Sequence, residues 1–128
     1  MKFVWYFTGR VLTYWRTSSD DDFSTTANVL VPPGTGELFG ASVSVGEGGF
    51  LLVGAPLTGS GGIGTSGRAY KYAWSSESNQ WESLTSYVPS GVPVNSNWGV
   101  AVAMGSDDTC VVGSSNYQDS EGRIVYQQ

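Results

Sequence analysis

The sequence predicts an all-β fold built from repeated four-stranded antiparallel units. Three observations carry this expectation. Short runs of β-branched, aromatic and small apolar residues are punctuated throughout by glycine, 18 of them in 128 residues, and such glycine-bounded runs read as strands joined by tight turns. No window keeps the 3.6-residue apolar period of an amphipathic helix. The chain also repeats itself. Residues 39–56, FGASVSVGEGGFLLVGAP, align without a gap on residues 98–115, WGVAVAMGSDDTCVVGSS, each residue standing 59 positions before its counterpart.

The elements follow in order. Residues 3–7, FVWYF, read as a strand. Met1 and Lys2 before them look like the start of a signal peptide, but the apolar stretch is too short and too aromatic. Gly9-Arg10 also stands where a small-residue cleavage site belongs. Residues 9–14, GRVLTY, form the next strand, and beyond the Asp20-Asp21-Asp22 run a further strand is expected around residues 25–30. Residues 41–45 and 100–104 are small and β-branched, bounded by glycine on both sides. The turns Gly46-Glu47-Gly48-Gly49 and Gly105-Ser106-Asp107-Asp108 lead into residues 50–53 and 109–112. These are nearly continuous apolar runs, as expected of strands buried on both faces. Residues 68–74 alternate, with Tyr70, Tyr72 and Trp74 on one face and Ala69, Lys71 and Ala73 on the other. A polar turn at 75–79 then precedes an outer strand at 80–84.

A second motif confirms the phase. GRAYKY at 67–72 returns as GRIVY at 122–126 and occurs earlier as GRVLTY at 9–14. One unit is therefore four short strands in roughly 57 residues, joined by Pro/Gly-rich connections at 31–36 and 88–93. Four strands per repeat with glycine-rich punctuation is the pattern of a β-propeller blade. The chain divides into the end of a first blade and its connection (1–38), a complete blade with its connection (39–97) and a partial third blade (98–128). About two and a half blades make an incomplete ring, since propellers close with roughly four to eight. Inter-blade faces and strand edges left open invite association. The expected partners are accordingly other propeller blades, in the same longer protein or in other copies of this chain.

The stretch LFGASVSVGEGGFLLVGAP followed by GRAYKY resembles the FG-GAP repeat of integrin α-subunit propellers and their bacterial relatives. Phe39-Gly40 and Gly54-Ala55-Pro56 match the two halves of the motif. The later copy is degenerate, with Trp98-Gly99 for the first half and Gly113-Ser114-Ser115 for the second. The resemblance implies a propeller located outside the cell or at its surface that binds protein or glycan. Integrin-type repeats often carry an Asp-rich calcium loop after the GAP element. Here residues 57–66, LTGSGGIGTS, contain no carboxylate, and residues 116–121 offer only Asp119 and Glu121, too few oxygens for a calcium cage of six to eight ligands. No metal or cofactor is expected.

Composition excludes other classes. Six basic against eleven acidic residues give a net charge of −5 without a basic patch, which argues against nucleic acid. No apolar run approaches the ~18 residues of a membrane helix, so no membrane insertion is expected. Histidine is absent, which removes Ser-His-Asp and Cys-His nucleophile pairs. The single cysteine, Cys110, forms no disulfide within the chain and fits a packed thiol in a buried strand. Adjacent carboxylates in the Asp20–Asp22 run chelate poorly without other ligands and read as a solvated turn. Glu37, Glu47, Glu77, Glu82, Asp107, Asp108, Asp119 and Glu121 nearly all fall in turns or at strand ends, with no paired setting for glycoside hydrolysis. Glycines 59–64 lack the Lys-Ser/Thr of a phosphate loop.

Most aromatics, among them Trp5, Tyr6, Tyr14, Trp15, Tyr70, Tyr72, Trp74 and Trp98, are expected to pack between blades. The recurrence of Tyr14 and Tyr72 at one repeat position favours this. Trp81, Tyr87 and Tyr117 are the candidates for surface contacts. Arg10, Arg68 and Arg123 recur at the start of one strand and suit either an acidic partner or a repeated salt bridge. The leading functional expectation is a non-catalytic binding and adhesion module that recognises protein or glycan through loops on one propeller face. A self-assembling structural protein (ring, filament or coat) and an accessory domain of a larger enzyme are the alternatives.

Overall fold

The computed structural model describes residues 9–33, 38–57, 66–88, 95–117 and 121–127, with side chains through residue 115. The expected strand at 3–7 with Trp5 and Tyr6, the glycines at 59–64 and most of both loops weighed for calcium lie outside the described residues. Among the described residues there is no helix. The strands are β1 (Val11–Thr13), β2 (Asn28–Leu30), β3 (Ser42–Gly46), β4 (Phe50–Ala55), β5 (Arg68–Ser75), β6 (Gln80–Tyr87), β7 (Trp98–Met104), β8 (Cys110–Tyr117) and β9 (Glu121–Gln127). They form three antiparallel sheets in the orders β1-β2, β3-β4-β5-β6 and β7-β8-β9. Every strand pairs with its neighbour in sequence, so each sheet is a meander.

Strand boundaries differ from expectation at several ends, and at three of them the local reason is plain. β6 runs on to Tyr87 because a bulge between Lys71 and Tyr72 takes up one residue and lets the pairing continue from Ser75↔Gln80 to Ala69↔Tyr87. That slip breaks the period-2 pattern of residues 80–87. Thr109 belongs to the turn before β8: its hydroxyl donates to Asp107 Oδ1 at 2.6 Å and its carbonyl accepts from the Gly105 amide at 2.8 Å. β1 ends at Thr13, so Tyr14 and Trp15 lie beyond it and stay 50% and 46% exposed. Their expected burial between units is not found, although Tyr72, the repeat counterpart of Tyr14, is buried.

The sheets stack face to face around two apolar layers. Val11 and Leu30 of the first sheet meet Phe39, Leu51, Val53, Ala55, Tyr70 and Tyr72 of the second unit. In the next gap Leu52 and Ala69 meet Trp98, Cys110 and Val112, with Tyr87, Val102 and Met104 at the margin. β4 divides its side chains between the two: Leu51 and Val53 face the first gap and Leu52 the second, all at most 1% exposed. This is why its sequence is continuously apolar instead of alternating.

The repeat is visible in the backbone as well as in the core. Leu38 and its counterpart Asn97 both have positive φ, at 48° and 54°, as do Gly40 and Gly99 at 89° and 92°. Phe39 and Trp98 are 1% and 2% exposed and open their units in the same way. A Cβ on Gly9 would collide with the Phe39 carbonyl oxygen, and one on Gly67 with that of Trp98. Gly9 and Gly67 of the Gly-Arg motif are thus the places where the aromatic–glycine turn of the following unit crosses.

Candidate functional site

The residues of the repeat motif serve the junctions between units. Phe39 and Ala55 are buried in the first apolar layer, Gly54, Trp98 and Gly99 are buried at the second, and Pro56 is buried at the end of β4. Gly40 donates its amide to the Gly54 carbonyl at 3.0 Å. Ser42 Oγ donates to the Gly99 carbonyl at 2.9 Å across the second gap. Gly113, the counterpart of Gly54, lies on the outer face of the third sheet, in register with Ala101.

The surface feature with room for a ligand is a cleft of about 680 Å³ between the first two sheets. Residues 28–33 form one wall, and the outward faces of β5 and β6 form the other. Its composition follows from strand geometry. Alternation along β5 puts Arg68, Tyr70, Tyr72 and Trp74 on one face. Register then places Ser86 opposite Tyr70, Ser83 opposite Tyr72 and Trp81 opposite Trp74. An aromatic row therefore runs beside a row of hydroxyls. Asn28 and Gln80 add amide groups to the lining.

Trp81 stands at the corner of the site. Its ring meets Trp74 edge-on, with centroids 5.4 Å apart, and its indole N–H donates to Thr13 Oγ1 at 2.8 Å. It also borders a smaller cavity of about 180 Å³ with Tyr14, Trp15 and Trp74. Of the three residues expected at the surface, Trp81 is the one in the cleft. Tyr87 is half-buried in the second gap instead, where its carbonyl accepts from Trp98 Nε1 at 2.8 Å. Burial, with the Cys110 thiol and Asp108 beside it, pushes the Tyr87 hydroxyl up to about 12. The side chain of Tyr117 lies outside the described residues.

No carboxylate lines the cleft among its described residues. Elsewhere Glu47, Glu77 and Glu82 are exposed, and Asp107, held by Thr109, has its carboxyl lowered below the ordinary range. Asp20–Asp22 sit in an exposed turn, where Asp21 accepts from the Thr17 hydroxyl. Among the described residues no three of His, Cys, Asp or Glu come close enough to hold a metal, and no helix is long and apolar enough to cross a membrane. What the cleft offers is the partly exposed Trp81 ring for stacking, hydroxyls and amides for hydrogen bonding, and one guanidinium, with Tyr70 and Tyr72 buried at its floor. No family model and no curated protein matches the chain.

Proposed function

We propose that the chain is an FG-GAP-like set of β-propeller blades that works as a non-catalytic binding module outside the cell or at its surface. The cleft between the first two sheets is its ligand site, and a glycan is the ligand it suits. The single observation that carries this reading is the partly exposed Trp81 ring beside the hydroxyls of Ser83 and Ser86, over a floor of buried Tyr70 and Tyr72, with no carboxylate among the described lining residues. Sugar rings present apolar C–H faces to aromatic rings and hydroxyl edges to polar groups, and the volume falls within the ~300–1,000 Å³ of small-molecule sites. Consecutive meander sheets, stacked through equivalent glycine crossings, support the propeller part.

The test is an oligosaccharide panel read by intrinsic tryptophan fluorescence. Saccharides that bind should perturb the emission, and Trp81→Ala should weaken binding at least about tenfold, in line with loss of a central aromatic contact. Trp81→Phe, which keeps a ring in place, should retain most of the affinity. Absence of binding across neutral and acidic saccharides would reject the glycan reading.

The assembly reading is favoured by a separate observation. A Cβ on Gly54 would collide with the Gly99 carbonyl oxygen of the next sheet, whereas one on Gly113 would meet nothing nearer than Ala101 at 3.5 Å. On the first sheet Leu12 and Val29, paired in register, are each 52% exposed. Both outer faces of the stack thus match faces that are covered inside it. Further units of the same repeat, in a longer polypeptide or in other copies, are the partners these faces fit.

A further inference from the structure

Arg68 begins β5 on the same face as Tyr70 and Tyr72 and lines the cleft. It is half-buried, its Nε is shielded from solvent, and that nitrogen has no hydrogen-bond partner. The ion pair found among the described residues belongs to Lys71 and Asp108, in the other gap. Of the two readings of the Gly-Arg motif, an acidic partner or a repeated salt bridge, the salt bridge is not found at Arg68 among the described residues. Its counterpart Arg10, 58 positions earlier, is exposed and lines no part of the cleft, so the burial of Arg68 is a property of this cleft and not of the repeat.

A guanidinium stays charged at every physiological pH and presents five N–H donors in a planar fork that matches a carboxylate. Shielding one of those donors without an acceptor is costly. The chain as a whole carries −5, which disfavours general attraction of anions. Arg68 is a local exception, set in a site with no carboxylate among its described residues. We infer that Arg68 is the anion-recognising group of the cleft and that the ligand is a saccharide bearing a carboxylate, a uronic acid or a similar acidic sugar. The sugar ring stacks on Trp81, its hydroxyls meet Ser83 and Ser86, and its carboxylate takes the guanidinium. The Trp81 ring, the hydroxyl row and the cleft volume favour an acidic sugar over a free inorganic anion. This inference rests on the glycan-binding reading above.

The experiment compares a glucuronate-terminated disaccharide with the matched neutral glucose disaccharide, titrated calorimetrically against the full chain. The acidic one should bind about 10–100-fold more tightly, the range of one charge-assisted hydrogen-bonded contact. The preference should shrink between low and high salt. Arg68→Gln should bring the two affinities together by weakening the acidic disaccharide the more, and an unfolding midpoint close to that of the unaltered chain shows that the fold is intact. Should Arg68→Gln fold poorly, Arg68→Lys serves: it keeps the charge, loses the planar fork and should retain only part of the preference. Equal affinities in the unaltered protein, or an undiminished preference in either variant, would overturn the role of Arg68 and leave glycan binding standing. Binding of neither disaccharide would remove both.

Discussion

The two gaps between sheets are built from the same repeat positions and end differently. Phe39 and Trp98, Leu51 and Cys110, Val53 and Val112, and Val11 and Ala69 are counterparts, and each pair supplies one member to each apolar layer. At the outer strands the likeness stops. The first gap opens into the cleft between residues 28–33 and the strands β5 and β6, and the second holds Tyr87, Trp98 and an ion pair. Position 13 of the first unit and its counterpart 71 make the divergence concrete. Thr13 accepts a neutral hydrogen bond from Trp81 across the first gap. Lys71, with its side chain 8% exposed, reaches Asp108 at 2.5 Å across the second. The inner positions of the repeat maintain the stack, and positions 13 and 71 set whether a neutral or a charged contact crosses the gap.

The most severe way to break this comparison is to thicken a crossing point. Gly54→Val would drive a side chain into the Gly99 carbonyl oxygen and Ser42 Oγ. Backbone cannot yield there without parting the second and third sheets. A loss of roughly 3 kcal/mol or more is expected. Gly113→Val, at the counterpart position, meets only Ala101 at 3.5 Å and replaces a glycine in a strand interior, so stability should hold or rise by up to about 1 kcal/mol. Urea denaturation checks both. Light scattering on Gly113→Val adds the assembly reading: if another copy covers that face, the variant should lose mass relative to the unaltered protein. Equal destabilisation by the two substitutions would show that the Gly113 face is covered as closely as the Gly54 face.

That test also marks how far the sequence was legible. The stacked strands declare themselves because β4 and its neighbours must be apolar on both faces, and the paired aromatic–glycine and Gly-Arg motifs recur because they cross one another. Tyr70 and Tyr72 are readable as one face of a strand. Nothing in their spacing says that a cleft opens above this face, since that depends on where residues 28–33 run, some forty positions earlier in the chain. Arg68 is harder still to read. Its significance lies in the absence of a neighbouring acid, and an absence in space leaves no pattern in sequence. Tyr14 misled for the opposite reason: its repeat position matches Tyr72, but a three-residue strand stops before reaching it.

A milder pair of substitutions compares the two crossing contacts directly. Asp108→Asn removes the anion opposite Lys71 and keeps a residue that tolerates the positive φ of 67° found there. The Asp108 side chain is 46% exposed, so solvent screens the pair, and the loss is expected near the lower end of about 1–3 kcal/mol. Adding Lys71→Met should recover much of it, because an apolar chain then fills the site without an unpaired charge. Thr13→Val deletes only a neutral acceptor from the Trp81 indole and should cost about 0.5–1.5 kcal/mol, with little dependence on salt. If Thr13→Val proves the costlier change, the cleft side of the stack is the more tightly held one.

The smallest effect is a pH dependence confined to the second gap. In the folded chain the Tyr87 hydroxyl is raised from 10.0 to about 12, first by burial and then by the Cys110 thiol and Asp108. The unfolded chain releases this proton near 10, so between about pH 10 and 12 it binds fewer protons than the folded one, and stability falls as pH rises through that window. Below pH 10 the phenol is neutral in both states and the contribution is fully present. Tyr87→Phe cannot ionise, so its unfolding midpoint should fall less steeply between pH 9 and 11.5 than that of the unaltered chain, with the two curves parallel below pH 9. If Tyr87→Phe leaves the alkaline slope as it was, the second gap admits water to Tyr87, and its closure by Trp98 and Cys110 is not what separates it from the cleft.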